Sequence, residues 1–203
     1  MSGLPVLLEA DGIEVLVVGA GPVAARRASA FVAAGARVRV IAPEVGEAVR
    51  LLAESGRVTV ARRRYEAGDV GDAELVVAAT SHRETNARVA ADARAAHRLV
   101  NVADAAEEGS FAAMATHRAG GLVMGVSAGV PAAAARIRDA LAARFDERYA
   151  RAVDELGALR DRLLGSNAAD GWRAISGDLL DRDFCASVED GTFGARLAER
   201  IGS

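Results

Sequence analysis

The sequence predicts an α/β fold: a parallel sheet with helices on both faces, then a small strand-and-helix segment and a helical C-terminal region. Three observations predict it. The first is Val15-Leu16-Val17-Val18-Gly19-Ala20-Gly21-Pro22-Val23-Ala24, an apolar run that enters G-x-G-x-x-A and continues into helix-forming residues 25–34. The second is alternation. Strand-like runs at 37–42, 57–61, 75–79 and 99–102 are separated by helix-like stretches at 43–54 and 84–96, the order of a parallel sheet built by crossover helices. The third is a change of pattern after about residue 105, where two short strand-like runs give way to helical periodicity.

The elements follow in order. Residues 5–9 are apolar and extended, and Ala10-Asp11-Gly12 supplies turn chemistry, so a β-hairpin is expected to lead into the first strand at 13–18. Gly35 suits the C-terminal end of the first helix. Pro43 and Glu44 suit the first turn of the second, which Gly56 stops. Residues 110–113 and 122–126 read as two strands around Gly120-Gly121, followed by a helix at 131–145. From 146 the apolar residues Ala152, Leu156, Leu159 and Leu163 recur at helical spacing. Gly165-Ser166-Asn167 is expected to break that helix, with further helices at 174–180 and 193–201. The domains expected are 1–108, a dinucleotide-binding domain of Rossmann type, 109–145, the middle segment, and 146–203, the helical region.

The 203 residues are 51% hydrophobic and 26% charged, with a net charge of −3. These are ordinary globular proportions, and the bulk charge points to neither a nucleic-acid nor a membrane partner. Cys185 is the single cysteine, so an intrachain disulfide framework is excluded. The first residues, Met1-Ser2-Gly3-Leu4-Pro5, lack the basic run of a secretory signal. A cytoplasmic location is expected. All 25 Lys-plus-Arg positions are arginine. That excludes Schiff-base and P-loop lysine chemistry. It reflects either compositional bias or a need for guanidinium forks that hold a polycarboxylate.

The chemistry concentrates where strands end. Gly19 permits a tight turn, Ala20 continues it, and Gly21 lets the backbone approach a pyrophosphate. The helix N-terminus offers unpaired N–H groups and a positive dipole end to phosphate. Glu44, beside Pro43, is either the acidic residue that holds the adenosine ribose hydroxyls or a first-turn helix residue. No arginine stands there to take a 2′-phosphate, which favours NAD over NADP. Ala78-Ala79-Thr80-Ser81-His82 ends another strand, and its small residues admit the nicotinamide half, with Thr80 a cofactor contact. His82 is either a ligand contact or an exposed loop histidine. In Asn101-Val102-Ala103-Asp104, Val102 is a further cofactor contact, and Asp104 is either a general base or a capping aspartate. His82, His97, His117 and Cys185 are too dispersed for a metal site, so none is expected.

The chain resembles the precorrin-2 dehydrogenase / sirohydrochlorin ferrochelatase family, the stand-alone enzymes and the N-terminal half of siroheme synthase. The matching residues are Leu4-Pro5-Val6, Val18 through Arg27, Ala78-Ala79-Thr80 with Asn86, Asn101 through Asp104, Ser110-Phe111, Val126-Ser127 with Gly129, and Ala135 through Arg138. The resemblance implies NAD-dependent oxidation of precorrin-2, a tetrapyrrole polycarboxylate, to sirohydrochlorin, with Asp104 as the key carboxylate. It implies cofactor contacts at Pro22-Val23 and Pro43-Glu44, and substrate contacts at Ser127 and Gly129. Arg118, Arg136 and Arg138 either meet substrate carboxylates or form surface ion pairs. The family is homodimeric through the middle segment, with the helical tail over the active-site cleft, and some members go on to insert ferrous iron. Departures fall at Ser127-Ala128-Gly129-Val130-Pro131, which is shorter and has fewer hydroxyls than the family pattern, and at Ala106 and Met114, where proline is common. The other class of function open to the sequence is a non-catalytic NAD-sensing or regulatory protein, which would need the glycine turn but neither the Asp104 segment nor Ser127 to Gly129.

Overall fold

The computed structural model describes residues 3–165 and 169–201. The chain forms two compact units, Met1–Ala113 and Met114–Ser203.

The first unit is the parallel sheet. Its strands are β1 (Glu14–Val18), β2 (Arg37–Ile41), β3 (Val58–Ala61), β4 (Leu75–Ala78) and β5 (Leu99–Val102), in the order β3-β2-β1-β4-β5. The helices are α1 (Pro22–Ala33), α2 (Glu47–Glu54) and α3 (Arg83–Ala95). Strand residues alternate between two cores, as the two-residue period of a strand requires. Val15, Val17, Val38, Val40 and Val77 pack with Ala24, Ala28 and Val32 of α1 and Val49 of α2. Leu16, Val18, Val76, Val100 and Val102 pack with Val89, Ala90 and Ala93 of α3. With helices on both faces, every β1 residue from Val15 to Val18 is buried.

Three expectations in this unit are corrected. No strand forms over residues 5–9, so there is no hairpin. The reason is topological: β1 is hydrogen-bonded to β2 on one side and β4 on the other, which leaves it no free edge. Leu4, Val6, Leu7 and Leu8 are exposed. The first helix starts at Pro22 rather than 25, with proline in the first turn, where its missing N–H costs nothing. The second starts at Glu47 rather than Pro43, because the Gly46 N–H donates to the Ala20 carbonyl at 3.3 Å and holds residues 42–46 as a loop against the glycine turn.

The second unit holds an antiparallel pair, β6 (Ala115–Ala119) and β7 (Leu122–Val126), and helices α4 (Pro131–Arg144), α5 (Glu147–Gly165), α6 (Ala169–Leu179), α7 (Phe184–Asp190) and α8 (Phe193–Ile201). The first strand of the pair lies at 115–119, not at 110–113. The backbone at 110–111 is occupied instead: the Ser110 and Phe111 N–H groups donate to the Val100 carbonyl at 2.7 and 3.3 Å. At the β6–β7 turn the Gly121 N–H donates to Asp154 Oδ1 of α5 at 2.9 Å. The helical core gathers Tyr149, Leu156, Leu159, Leu179, Val188, Phe193 and Leu197. Edge-on aromatic contacts link Tyr149 to Phe184 and Phe184 to Phe193, with ring centroids 6.5 and 5.3 Å apart. The break expected at 165–167 falls partly outside the described residues, and α7 was not expected. Among the described residues no helix is long and apolar enough to cross a membrane.

Candidate active site at the carboxyl edge of the sheet

In an open α/β sheet, ligands bind beyond the carboxyl ends of the strands where the strand order reverses. Here that point lies between β1 and β4, the neighbours at the centre of the sheet. The candidate residues of the first unit leave this edge in turn: Gly19 to Val23 after β1, Pro43 and Glu44 after β2, Thr80 after β4, Val102 and Asp104 at and after β5.

The glycine turn has two different glycines. Gly19 sits at φ +112°, and a Cβ built there would stand 2.7 Å from the Ala79 carbonyl carbon and collide with its oxygen. This glycine lets the turn pass over the end of β4. Gly21 is the N-cap of α1 at φ −77°, and a Cβ built there meets nothing within 4 Å. The space above it is open, and no side chain caps the helix or adds an acid to its first turn. Pro22 has no N–H, and those of Val23 and Ala24 have no intrahelical acceptor. An uncapped, positive helix end below a space that a Cβ would fill fits a pyrophosphate.

Around this turn, Gly19 and Ala20 are buried, while Gly21, Pro22, Val23, Pro43 and Glu44 are exposed. Gly46, which the sequence reading missed, brings the 42–46 loop onto the turn, and a Cβ on it would come within 2.7 Å of the Ala20 oxygen. Val102 turns its side chain into the core at 2% exposure. Only its backbone is offered to the edge.

Beyond β4 and β5 the structure brings Thr80 and Asp104 together through Asn86, which is fully buried one turn into α3. Asn86 Oδ1 accepts from the Thr80 N–H at 3.0 Å and lies 2.8 Å from the Thr80 hydroxyl. Asn86 Nδ2 donates to the Thr80 carbonyl at 3.1 Å and to Asp104 Oδ1 at 2.9 Å. The Asp104 carboxylate is exposed. It makes no helix cap: the short 3₁₀ turn that follows begins after Ala105 without a side-chain cap. His82 is the exposed N-cap of α3 and makes no side-chain cap bond. A sequence signal for Asn86 did exist. It occupies a core-facing position of the stripe 86, 89, 90, 93, otherwise Val89, Ala90 and Ala93.

Ser127 and Gly129 lie in the second unit, exposed in the segment between β7 and α4. Arg118 and Arg136 are exposed, and Arg138 is paired with Asp139 at 2.7 Å. His117 Nε2 lies 2.8 Å from the Phe145 carbonyl, a local link within this unit. Among the described residues no group of three His, Cys, Asp or Glu side chains could hold a metal ion.

Parallel sheet, glycine turn and open helix end define a dinucleotide-binding domain of the Rossmann type. A family described as putative NAD(P)-binding matches residues 6–115, and the chain belongs to it. It is similar to the siroheme synthase of Pseudomonas putida (strain W619), 45% identical over 105 residues that cover 52% of this chain and 23% of that protein. It is similar also to that of Chromobacterium violaceum, 36% identical over 163 residues that cover 79% and 35% of the two chains. The resemblance drawn from the motifs thus holds, and the chain spans about a quarter to a third of the length of these curated relatives. A solved structure described as a precorrin-2 dehydrogenase (SirC) has the same fold, with a TM-score of 0.82 and 24% identity over 99% of this chain and 100% of that one.

Proposed function

We propose that the chain oxidises precorrin-2 to sirohydrochlorin with NAD, in the synthesis of siroheme. The observation that carries the proposal is the exposed Asp104 carboxylate, held by Asn86 at the same sheet edge as the open phosphate turn. In the reaction the substrate loses two hydrogens, one as hydride and one as a proton. NAD, when bound, supplies the hydride acceptor. Asp104 accepts the proton, a task for which an exposed carboxylate at the sheet edge is suited. Val23 and Ala24 N–H groups hold the pyrophosphate, with Gly19, Ala20, Gly21 and Pro22 shaping its seat. Pro43 and Glu44 flank the adenosine ribose, where a carboxylate accepts from hydroxyls and repels a 2′-phosphate, so NAD is preferred to NADP. Thr80 and the Val102 backbone border the nicotinamide half. Ser127 and Gly129 contact the tetrapyrrole.

The same proposal includes a homodimer joined through 109–145, a helical region at 146–203, a cytoplasmic setting and, as a second step, ferrous iron taken up as substrate. It rests on the similarity to siroheme synthases and on the motifs that carry the resemblance. Anaerobic incubation with precorrin-2 and NAD, followed by absorbance before and after ferrous iron is added, tests both steps. Asp104→Ala should keep its NAD-induced thermal stabilisation and form no sirohydrochlorin. Oxidation by this variant at the parental rate would remove Asp104 from the mechanism, and tight NAD binding by a parent that oxidises nothing would point to a sensor.

A further inference from the structure

We infer that Asn86 is the positioning residue of the site: it fixes the Asp104 carboxylate by one oxygen and leaves the other presented. The inference rests on the reading of Asp104 as the base.

Asn86 uses its whole hydrogen-bonding capacity, two acceptor sites on Oδ1 and two N–H groups on Nδ2, within one network. The partners also decide which way the amide points. The Thr80 backbone N–H can only donate, and an ionised Asp104 can only accept. Oδ1 must therefore face Thr80 and Nδ2 must face Asp104, and turning the amide over would set donor against donor and acceptor against acceptor.

A purely structural clip would need less. The contacts to Thr80 already close the loop between β4 and α3, helped by the His82 N–H, which donates to the Thr80 hydroxyl at 3.1 Å. The fourth bond leaves this loop for the end of a different strand. It is spent on an exposed carboxylate that water would otherwise solvate. Among the described residues no hydrogen bond reaches Asp104 Oδ2. One oxygen is thus tied down and the other is presented, the arrangement wanted in a group that receives a proton at a fixed place.

The other charged or titratable groups on the elements around Asp104 are His82, Arg83 and Glu84 at the start of α3, and Glu107 and Glu108 on the turn after β5. Arg83 is paired with Glu108. None of them hydrogen-bonds to Asp104 among the described residues.

Asn86→Asp tests the inference with almost no change of volume. A carboxyl there can still accept from the Thr80 N–H, but it reaches Asp104 only by keeping its own proton. A carboxylate in place of the Nδ2 amide sets like charge against Asp104 and removes its tether. The folded variant should lose about 10–100-fold in kcat with precorrin-2 and NAD, with KM and the NAD-induced thermal shift near parental values. Asn86→Ala, if it folds, should lower kcat about 10–100-fold, since general-base assistance is worth about 10²–10⁴, with KM and the NAD-induced thermal shift near parental values. A parental kcat in folded Asn86→Asp would overturn the inference, and so would a lost NAD-induced shift or a raised KM in place of the loss in kcat. Parental oxidation by Asp104→Asn would instead overturn the role of Asp104 on which the inference rests.

Discussion

Gly19 and Gly21 share one turn and answer differently to a side chain. At Gly21 the backbone is extended, and a Cβ meets no atom within 4 Å. Valine there gives up a favoured N-cap residue, about 0.5–1 kcal/mol, and recovers about 0.4–1 kcal/mol because the unfolded chain loses freedom. The cofactor-free Gly21→Val variant should therefore melt within about 2–4 °C of the parent. Its methyl groups, however, fill the space over the helix end where the pyrophosphate would lie. NAD at a hundredfold excess over Kd stabilises a binding-competent chain by about 2.7 kcal/mol. At about 2–4 °C per kcal/mol for a chain of this size, that is a rise of roughly 5–11 °C, and Gly21→Val should show none of it. Gly19→Ala should do the reverse. It demands φ +112° of an L-residue and drives a methyl into the Ala79 carbonyl group, at a cost of about 2–5 kcal/mol to the fold itself. Differential scanning fluorimetry with and without NAD measures all four quantities. A full NAD-induced rise in Gly21→Val would refute the assignment of the phosphate seat. A parental melting temperature for cofactor-free Gly19→Ala would refute the close approach of turn and strand.

Two further predictions concern stability. The Arg63 guanidinium, hydrogen-bonded to Asp69 at 2.6 and 2.7 Å, holds that carboxyl below the usual carboxylate range, helped by the Glu66 N–H. A depressed folded-state pKa gives stability that is present above the unfolded value near about 4 and is lost as pH falls through the folded one. In urea melts the stability gap between the parent and Arg63→Ala should therefore close as pH drops below about 4, and a gap independent of pH would refute the pairing. In the second unit, Leu179 is 1% exposed within the helical core, so Leu179→Ala should cost about 2–5 kcal/mol, read by calorimetry. An unchanged transition would mean that the site is not packed as described.

The centre of the sheet was legible in the sequence because both faces of β1 and β4 are covered, so residues 15–18 and 75–78 read as unbroken apolar runs that feed two cores. Towards the edges the runs carry polar residues, Arg37 and Arg39 in β2 and Asn101 in β5, and it is their length and β-branched residues that mark them as strands. Leu75, Leu99 and Val102 fell at strand ends as expected within a residue. Three differences between sequence and structure share one cause, competition for backbone partners. Residues 5–9 have strand character, but β1 has both edges taken. Residues 110–111 have it too, but the Val100 carbonyl claims their N–H groups. Pro43 suits a helix start, but the bond from Gly46 to Ala20 defers the helix to Glu47. In each case local propensity was read correctly and a tertiary hydrogen bond outweighed it. The helix α7 went unread although Gly191, at φ +83° just past its end, and Phe184 with Val188 four residues on are the usual signs of a short amphipathic helix.

The site was legible one strand end at a time, and its wiring was not. Glycines before a helix and an aspartate after a strand are local signals. The link between Thr80 and Asp104 depends on register: Ala78 of β4 stands opposite Val102 of β5, so the residues two places beyond each strand, Thr80 and Asp104, leave the sheet side by side. The chain between them is the crossover through α3, which packs on both strands. A crossover helix begins at one strand end and lies back over its neighbour, and its first buried turn passes above both. Asn86 occupies that turn. A side chain there is placed to touch the loop after β4 and the loop after β5 at once, and an amide is the short group that can accept from the first and donate to the second. An aliphatic residue at 86 would match the stripe of Val89, Ala90 and Ala93 and fill the same core. It would also leave the Thr80 N–H without its acceptor, a loss of about 1–3 kcal/mol for a buried donor, and Asp104 without its tether. The polar interruption of an otherwise apolar helix face is therefore the mark of the site in the sequence, visible once the strand order is known.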